Sequence, residues 1–271
     1  MGFEESVHII PLGYEIDRVV KPFEEYKPNR VYLLVTPAYS NCPKEMNDRQ
    51  EYFTTKVKKD IEERGIEVQT IDVDLFDILQ VMKSVADLIL REKSKGNRVF
   101  VNMSGAGRLT SVGATLAAMA HNATVYYVEA DRYSRGEEEE DQHGLSICGK
   151  PKIKFLKNFR IKLPDGMSKA VLTSLCKEGK AMGTDQITDI LIAKGIAPEL
   201  FKEYKKLPKK EEQRRQQQRN LINLNKTIIA KLKKSGYVKT KKVGKYTRIK
   251  ITESGKYVAH IIGQWSKDYK S

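Results

Sequence analysis

The residues best suited to chemistry lie together in Asn102-Met103-Ser104-Gly105-Ala106-Gly107-Arg108-Leu109-Thr110-Ser111. Asn102, Ser104, Thr110 and Ser111 supply neutral hydrogen-bonding side chains. Arg108 is the only full positive charge among them, and its planar guanidinium matches two oxygens of a phosphate. Gly105 and Gly107, with Ala106 between them, let the backbone turn tightly just before a helix. The first N–H groups of a helix have no partner inside it and stand at its positive end, so such a turn favours an anion. A short glycine turn is equally what a plain strand-to-helix connection needs, and the surrounding elements have to decide between the two readings.

Arg98–Asn102 has the apolar run of a buried strand. The helix after the turn, from about Leu109 to His121, carries Ala114, Ala117 and Ala118 for close packing on a sheet. Val7–Ile10, Val31–Val35, Ile66–Ile71 and Thr124–Val128 are four more strands. Between them, helical spacing predicts helices over Tyr14–Tyr26, from about Lys44 to Arg64, and from about Leu75 to Lys95. The last two are each closed by a glycine, Gly65 and Gly96. Strands alternating with helices predict an α/β fold with an open, mostly parallel, Rossmann-like sheet. Ligands of such sheets sit beyond the C-terminal ends of the strands. The expected ligand-binding residues are therefore Gly13, Tyr14, Thr36, Pro37, Asn102, Ser104, Gly105, Ala106, Gly107, Arg108, Thr110 and Glu129. A dinucleotide fingerprint is disfavoured, because the glycines follow the fourth strand and Thr110 stands where a third glycine belongs. Glu137–Asp141 reads as an acidic loop. Alternation between Gly144 and Pro164 predicts one or two added strands, and Leu163–Gly166 a linker.

The net charge of +14 is unevenly placed. Residues 1–164 carry 24 Lys and Arg against 25 Asp and Glu, whereas residues 165–271 carry 25 against 10. This asymmetry predicts two domains, 1–164 for a small ligand or partner and 165–271 for a polyanion. Cys42, Cys148 and Cys176 are far apart, and the four histidines form no paired spacing, so neither a disulfide framework, a metal site nor a cofactor is expected. No apolar run is long enough for a membrane span, and the N-terminus lacks a signal core, so the expectation is a cytoplasmic protein without a membrane partner.

In the second domain, short helices are predicted over Ser168–Lys177 and Thr184–Leu191, then a long one ending near Ser235, with Leu221, Leu224, Ile228 and Leu232 on one face. Tyr237–Ile251 follows as two alternating strands around Gly244, carrying Lys239, Lys241, Lys242, Lys245, Arg248 and Lys250. Cations on a hairpin beside a helix rich in amides and arginines predict double-stranded DNA as the partner. Asn220 and Asn223 are candidates for reading adenine and Arg215 or Arg219 for guanine, with Lys226 a further DNA-binding residue on the same helix. A final helix is expected over Ser254–Tyr269, with Trp265 packing on its own domain.

Helix, helix, long helix and basic hairpin resemble a winged helix-turn-helix. Together with Asn102–Arg108, which is similar to a strand-four Asp/Asn-x-Thr/Ser-Gly-Gly-Thr-Lys type signature, the whole resembles the CARF-domain transcription regulators associated with CRISPR systems, mainly of archaea. The chain departs from that signature at Ala106 and Arg108. The resemblance implies a homodimer that binds a cyclic oligoadenylate across its two-fold axis while its winged helices read DNA. No catalytic residue is assigned. Some relatives cleave the ring without metal, and the resemblance then points to Ser104, Arg108 and Tyr14. A constitutive DNA binder whose first domain only dimerises is the other alternative.

Overall fold

The computed structural model describes residues 4–38, 43–159, 161–244 and 246–263. It divides into two compact units, residues 1–161 and 162–271.

The first unit contains, in order, β1 (Ser6–Pro11), α1 (Asp17–Val20) running into a 3-10 turn (Lys21–Glu24), β2 (Arg30–Val35), α2 (Lys44–Glu62), β3 (Glu67–Asp72), α3 (Ile78–Ser94), β4 (Arg98–Asn102), α4 (Arg108–Ala120), β5 (Thr124–Glu129), β6 (Arg132–Tyr133), α5 (Glu137–His143), β7 (Ser146–Ile147) and β8 (Lys152–Phe155). Six strands form one sheet in the order β3-β2-β1-β4-β5-β8. The first five are parallel, and β8 closes the β5 edge antiparallel, as the added strand predicted there. The fold is thus the expected open Rossmann-like sheet.

Both faces of the sheet are covered. Val7, Ile9, Tyr32, Leu34, Val99 and Val101 pack against α3 and α4, where Ala114, Ala117 and Ala118 are fully buried. Gly113 lets the two helices approach, since a Cβ there would lie 3.0 Å from Ile78 Cγ1. Ile10, Leu33 and Val35 meet Val19, Phe23, Phe53, Val57 and Ile61 on the other face.

Two local expectations need correction. The predicted helix over Tyr14–Tyr26 shrinks to one short turn of α-helix and one of 3-10 helix. Glu15 pairs in a bridge with Gly144 and the Tyr14 carbonyl accepts from Leu145 N at 2.8 Å, which holds that stretch extended. Pro22, at the start of the 3-10 turn, has no N–H for a continuing helix. The acidic run is a helix, α5, rather than a loop. Its four glutamates occupy the first turn, where the helix dipole favours negative charge. Glu139 accepts a two-pronged hydrogen bond from Arg132, and Glu140 pairs with Arg49 of α2.

The second unit contains α6 (Gly166–Glu178), β9 (Met182–Gly183), α7 (Thr184–Ala193), α8 (Lys210–Leu224), a π-turn (Asn225–Ile229), α9 (Ala230–Lys234), β10 (Val238–Val243), β11 (Tyr246–Ile251) and α10 (Glu253–Ile262). Asp165 caps α6 by accepting from Ser168 N, and Thr252 caps α10 by accepting from Gly255 N. The π-turn has a side-chain cause: Thr227 Oγ1 donates to Asn223 O and Asn225 Nδ2 to Leu221 O, competing with the regular backbone ladder. β10 and β11 form the predicted hairpin, and β11 also pairs with β9. The expected extension of the last helix through Trp265 to Tyr269 lies outside the described residues.

Candidate functional site

In the first unit a cleft of about 480 Å³ opens where the chain leaves β1, β2, β3 and β4. Gly13 and Tyr14, Thr36, Leu75 and Phe76, and Ala106–Thr110 line it from these four exits. Met46, Asn47 and Gln50 of α2 and Leu145 complete the wall. Seven of the predicted residues therefore meet there: Gly13, Tyr14, Thr36, Ala106, Gly107, Arg108 and Thr110. Gly107 stands at the N-cap of α4 in extended backbone, and no side chain caps the helix, so its first-turn N–H groups are left for another acceptor. The Arg108 guanidinium is exposed at the same point. Tyr14 stacks on Phe53 at 5.2 Å between centroids, with the Arg49 guanidinium 5.5 Å above the Tyr14 ring.

Other predicted contacts have structural roles. Asn102 is fully buried; its Oδ1 accepts from Ser104 N at 2.8 Å and its Nδ2 donates to Arg18 O at 3.0 Å. Ser104, also buried, presents Oγ to Val128 N at 2.7 Å. Gly105 sits beneath the cleft: its carbonyl accepts from Gly13 N at 2.7 Å, and a Cβ on it would lie 2.7 Å from Pro11 O. Thr110 borders the cleft, but its hydroxyl donates to Leu75 O at 2.6 Å. Pro37 and Glu129 do not line it; the Glu129 carboxylate pairs with Lys154 on the β8 edge. The turn is thus held by its own polar side chains, and what faces outward is backbone, Arg108 and apolar surface. Phe76, Leu109 and Val112 are all more than half exposed along this rim.

The segment β6-α5-β7 is strapped onto the β1–α1 connection beside the cleft. Ser146 Oγ donates to Glu15 Oε1 at 2.8 Å, and Asp17 accepts from Cys148 N at 2.9 Å while pairing with Lys21 and His143. Burial pushes the Glu15 carboxyl up to about 7 against the opposing Ser146 hydrogen bond and Arg18 charge, and its Oε2 has no hydrogen-bond partner among the described residues. Burial likewise pushes the Cys148 thiol up to about 11, which makes it a poor nucleophile. Among the described residues, no three His, Cys, Asp or Glu side chains are grouped to hold a metal ion. No described helix is long and apolar enough to cross a membrane.

The second unit carries the basic surface. Arg215, Arg219 and Lys226 are exposed on the long helix, although Arg215 pairs with Glu211 one turn earlier at 2.7 Å. On the hairpin, Lys239 faces Lys250 and Lys241 faces Arg248 across the strands. These four exposed cations share one side of the ribbon, with Lys242 on the other. Lys245 lies outside the described residues. Asn220 departs from its expected role as a base reader: it is fully buried, with Nδ2 donating to Lys202 O at 2.8 Å and Oδ1 accepting from Gln216 Nε2 at 2.9 Å. Asn223 is half-buried and donates to Leu200 O at 2.9 Å. Both amides fasten the chain after α7 to the long helix.

Residues 6–133 match the family model described as HFX_2341_N:-like, N-terminal. Residues 167–263 match the DUF6293 C-terminal winged helix domain. The second unit is a winged helix domain. In the winged helix, α6 and α7 precede the long helix α8–α9, and β10-β11 is the wing, with β9 as its third strand. Protein MJ1513 of Methanocaldococcus jannaschii is 24% identical over 147 residues, which cover 52% of this chain and 42% of the relative. Among solved structures, Enterococcus italicus Csm6 bound to cyclic hexa-2'-fluoro-hexa-dAMP matches with a TM-score of 0.42 and 13% identity over 86% of this chain and 59% of that one. Can2 from Sulfobacillus thermosulfidooxidans in complex with cyclic tetra-adenylate matches with a TM-score of 0.41 and 15% identity over 96% of this chain and 62% of that one. The chain spans less than two thirds of the length of each of these proteins.

The residues that the sequence reading missed are Met46, Asn47 and Gln50, Leu75 and Phe76, Leu109, and Leu145. The first six were within reach, because Leu75 and Phe76 follow β3, Met46, Asn47 and Gln50 open the helix after β2, and Leu109 lies in the first turn of the helix after β4, all on the side where the sheet topology puts ligands. Leu145 was not, since contacts between residues 143–148 and Tyr14–Asp17, far apart in sequence, bring it there.

Proposed function

We propose that the chain is a ligand-responsive, DNA-binding transcription regulator. Residues 165–271 bind double-stranded DNA, and residues 1–164 form a homodimer that senses a cyclic oligoadenylate. The observation that carries the DNA half is the wing. Like charges directly opposed across two strands destabilise a hairpin, and Lys239–Lys250 and Lys241–Arg248 are two such pairs in succession. A polyanion lying along that side relieves both repulsions and releases counterions.

For the sensing half, the cleft offers an uncapped helix N-terminus, one exposed guanidinium and aromatic and apolar walls. This chemistry suits a phosphodiester bearing bases. The ring form of the ligand is what the sequence resemblance supplies. Phe76, Leu109 and Val112, exposed along the rim, favour a second copy of the chain as the cover. A two-fold pair of clefts then offers two helix N-termini to one symmetric anion.

The experiment pairs two variants with two assays. Arg108→Ala is expected to abolish the thermal stabilisation by cyclic tri-, tetra- or hexa-adenylate and to leave duplex DNA binding unchanged. Lys239→Ala/Lys241→Ala/Lys242→Ala is expected to do the reverse. Equal loss of both activities in either variant refutes the division of labour. Linear product appearing in EDTA would instead make the cleft a metal-independent ring nuclease, with the ring's own 2′-hydroxyl as nucleophile, since Ser104 is buried.

A further inference from the structure

A second cavity of about 240 Å³ lies in the first unit, and it shares no lining residue with the cleft. It follows one side of the sheet, along alternate positions of neighbouring strands. Ser6 and His8 of β1 are in register with Arg98 and Phe100 of β4, and Tyr126 of β5 is in register with Phe155 of β8. The 3-10 turn and the residues after it, Tyr26 and Lys27, close the side.

The walls are ring faces. His8 stacks on Phe100 at 4.9 Å and 22°, Tyr126 meets Phe155 at 6.2 Å, and Tyr26 stands edge-on to Phe155 at 6.3 Å and 86°. Tyr26 and Phe155 leave half of their surface in water, so a flat apolar guest laid against them would remove exposed aromatic area. At the floor, the buried His8 ring bonds Tyr126 Oη through Nδ1 at 2.9 Å. Burial lowers its pKa to about 3, so it is a neutral hydrogen-bonding group and not a counter-ion. Both charges on the lining are positive, Lys27 and Arg98, and no carboxylate lines the cavity. Among the described residues, Arg98 is held only by an ion pair with Glu4 at 3.3 Å in which both side chains are more than half exposed, an attachment an incoming anion can displace.

We propose that this cavity is a binding site for a planar aromatic carboxylate, its ring between Tyr26, Phe100, Tyr126 and Phe155 and its carboxylate at Lys27 and Arg98. The volume admits a fused two-ring acid and excludes a nucleotide-sized ligand. The proposal is independent of the sensing role given to the cleft.

The test is calorimetric titration of the full chain with 2-naphthoate, 2-naphthamide and cyclohexanecarboxylate. Saturable one-to-one binding of 2-naphthoate is expected, about tenfold tighter than either analogue. Lys27→Ala is expected to weaken 2-naphthoate severalfold and leave 2-naphthamide unchanged, and Tyr26→Ala to weaken both. The two residues are exposed, so neither change threatens the fold. Absence of saturable binding, equal binding of cyclohexanecarboxylate, or loss of 2-naphthoate binding in Arg108→Ala, which would place the probe in the cleft, overturns the proposal.

Discussion

Replacing Asn102 by alanine separates a residue that touches ligand from one that builds the site. Asn102 is fully buried and joins two backbone groups from distant parts of the chain, the N–H of Ser104 and the carbonyl of Arg18. Alanine leaves both without partners in a place water does not reach. An orphaned buried polar group costs about 1 to 3 kcal/mol, so the pair amounts to roughly 2 to 6 kcal/mol. In a unit of this size each kcal/mol shifts the melting temperature by about 2 to 4 °C, which predicts a drop near 10 °C without any ligand. The measurement is thermal unfolding of the unliganded protein by circular dichroism, with hydrogen exchange at the Ser104 amide as the local readout. Exchange at Ser104 should accelerate, because the side chain that protects it is gone. A variant that melts with the wild type yet no longer binds a cyclic oligoadenylate would refute the reasoning and restore Asn102 as a ligand contact.

Four further outcomes follow from the same geometry. Glu15 has its carboxyl raised from 4.5 to about 7, so the folded state favours the neutral form; its contribution to stability is complete below 4.5 and is lost as pH rises through about 7. Glu15→Gln should therefore flatten the fall in melting temperature across that window, and an unchanged pH profile would contradict the burial argument. Gly144→Ala places a Cβ 2.5 Å from Ile16 N at a residue with φ +82°, so the strap should detach and proteolysis within residues 132–147 should quicken. Asn220→Ala should lower the melting temperature of the winged helix without changing sequence preference on DNA; a relaxed preference at one base pair would show that Asn220 reads a base after all. In the triple lysine variant of the wing, the slope of log affinity against log salt should fall by about 2, one unit each for Lys239 and Lys241 on the side along which the polyanion lies.

The sheet was legible because β1, β2 and β4 are apolar runs bounded on at least one side by glycine or proline, and the wing because cations alternate there with β-branched residues. The polar positions were harder, since an amide that binds a ligand and one that ties a turn are the same residue. Direction was nevertheless partly encoded. In β4 the alternation sends Val99 and Val101 to one side of the sheet and Phe100 and Asn102 to the other, beneath α1. Asn102 could have been placed under the site by parity alone. Asn220 stands four residues before Leu224, and Ile228 and Leu232 continue that series, so the amide belongs to the buried stripe; grouping the stripe from Leu221 instead turned it outward. What no periodicity contained is the strap. Four consecutive glutamates carry no apolar period, and α5 exists because the helix dipole, Arg132 and Arg49 accept their charge. Leu145 reaches the cleft through its own N–H on Tyr14 O and the Glu15–Gly144 bridge, with Ser146, His143 and Cys148 binding Glu15 and Asp17 more than a hundred residues earlier. Because those carboxylates fix the wall of the cleft, a change at Glu15 should reach ligand affinity through Tyr14 and Leu145 without touching Arg108. Titrating a cyclic oligoadenylate into Glu15→Gln at pH 6 and pH 8 tests that coupling. The wild type should lose affinity at the higher pH as Glu15 ionises beside the strap, whereas the variant should bind equally at both.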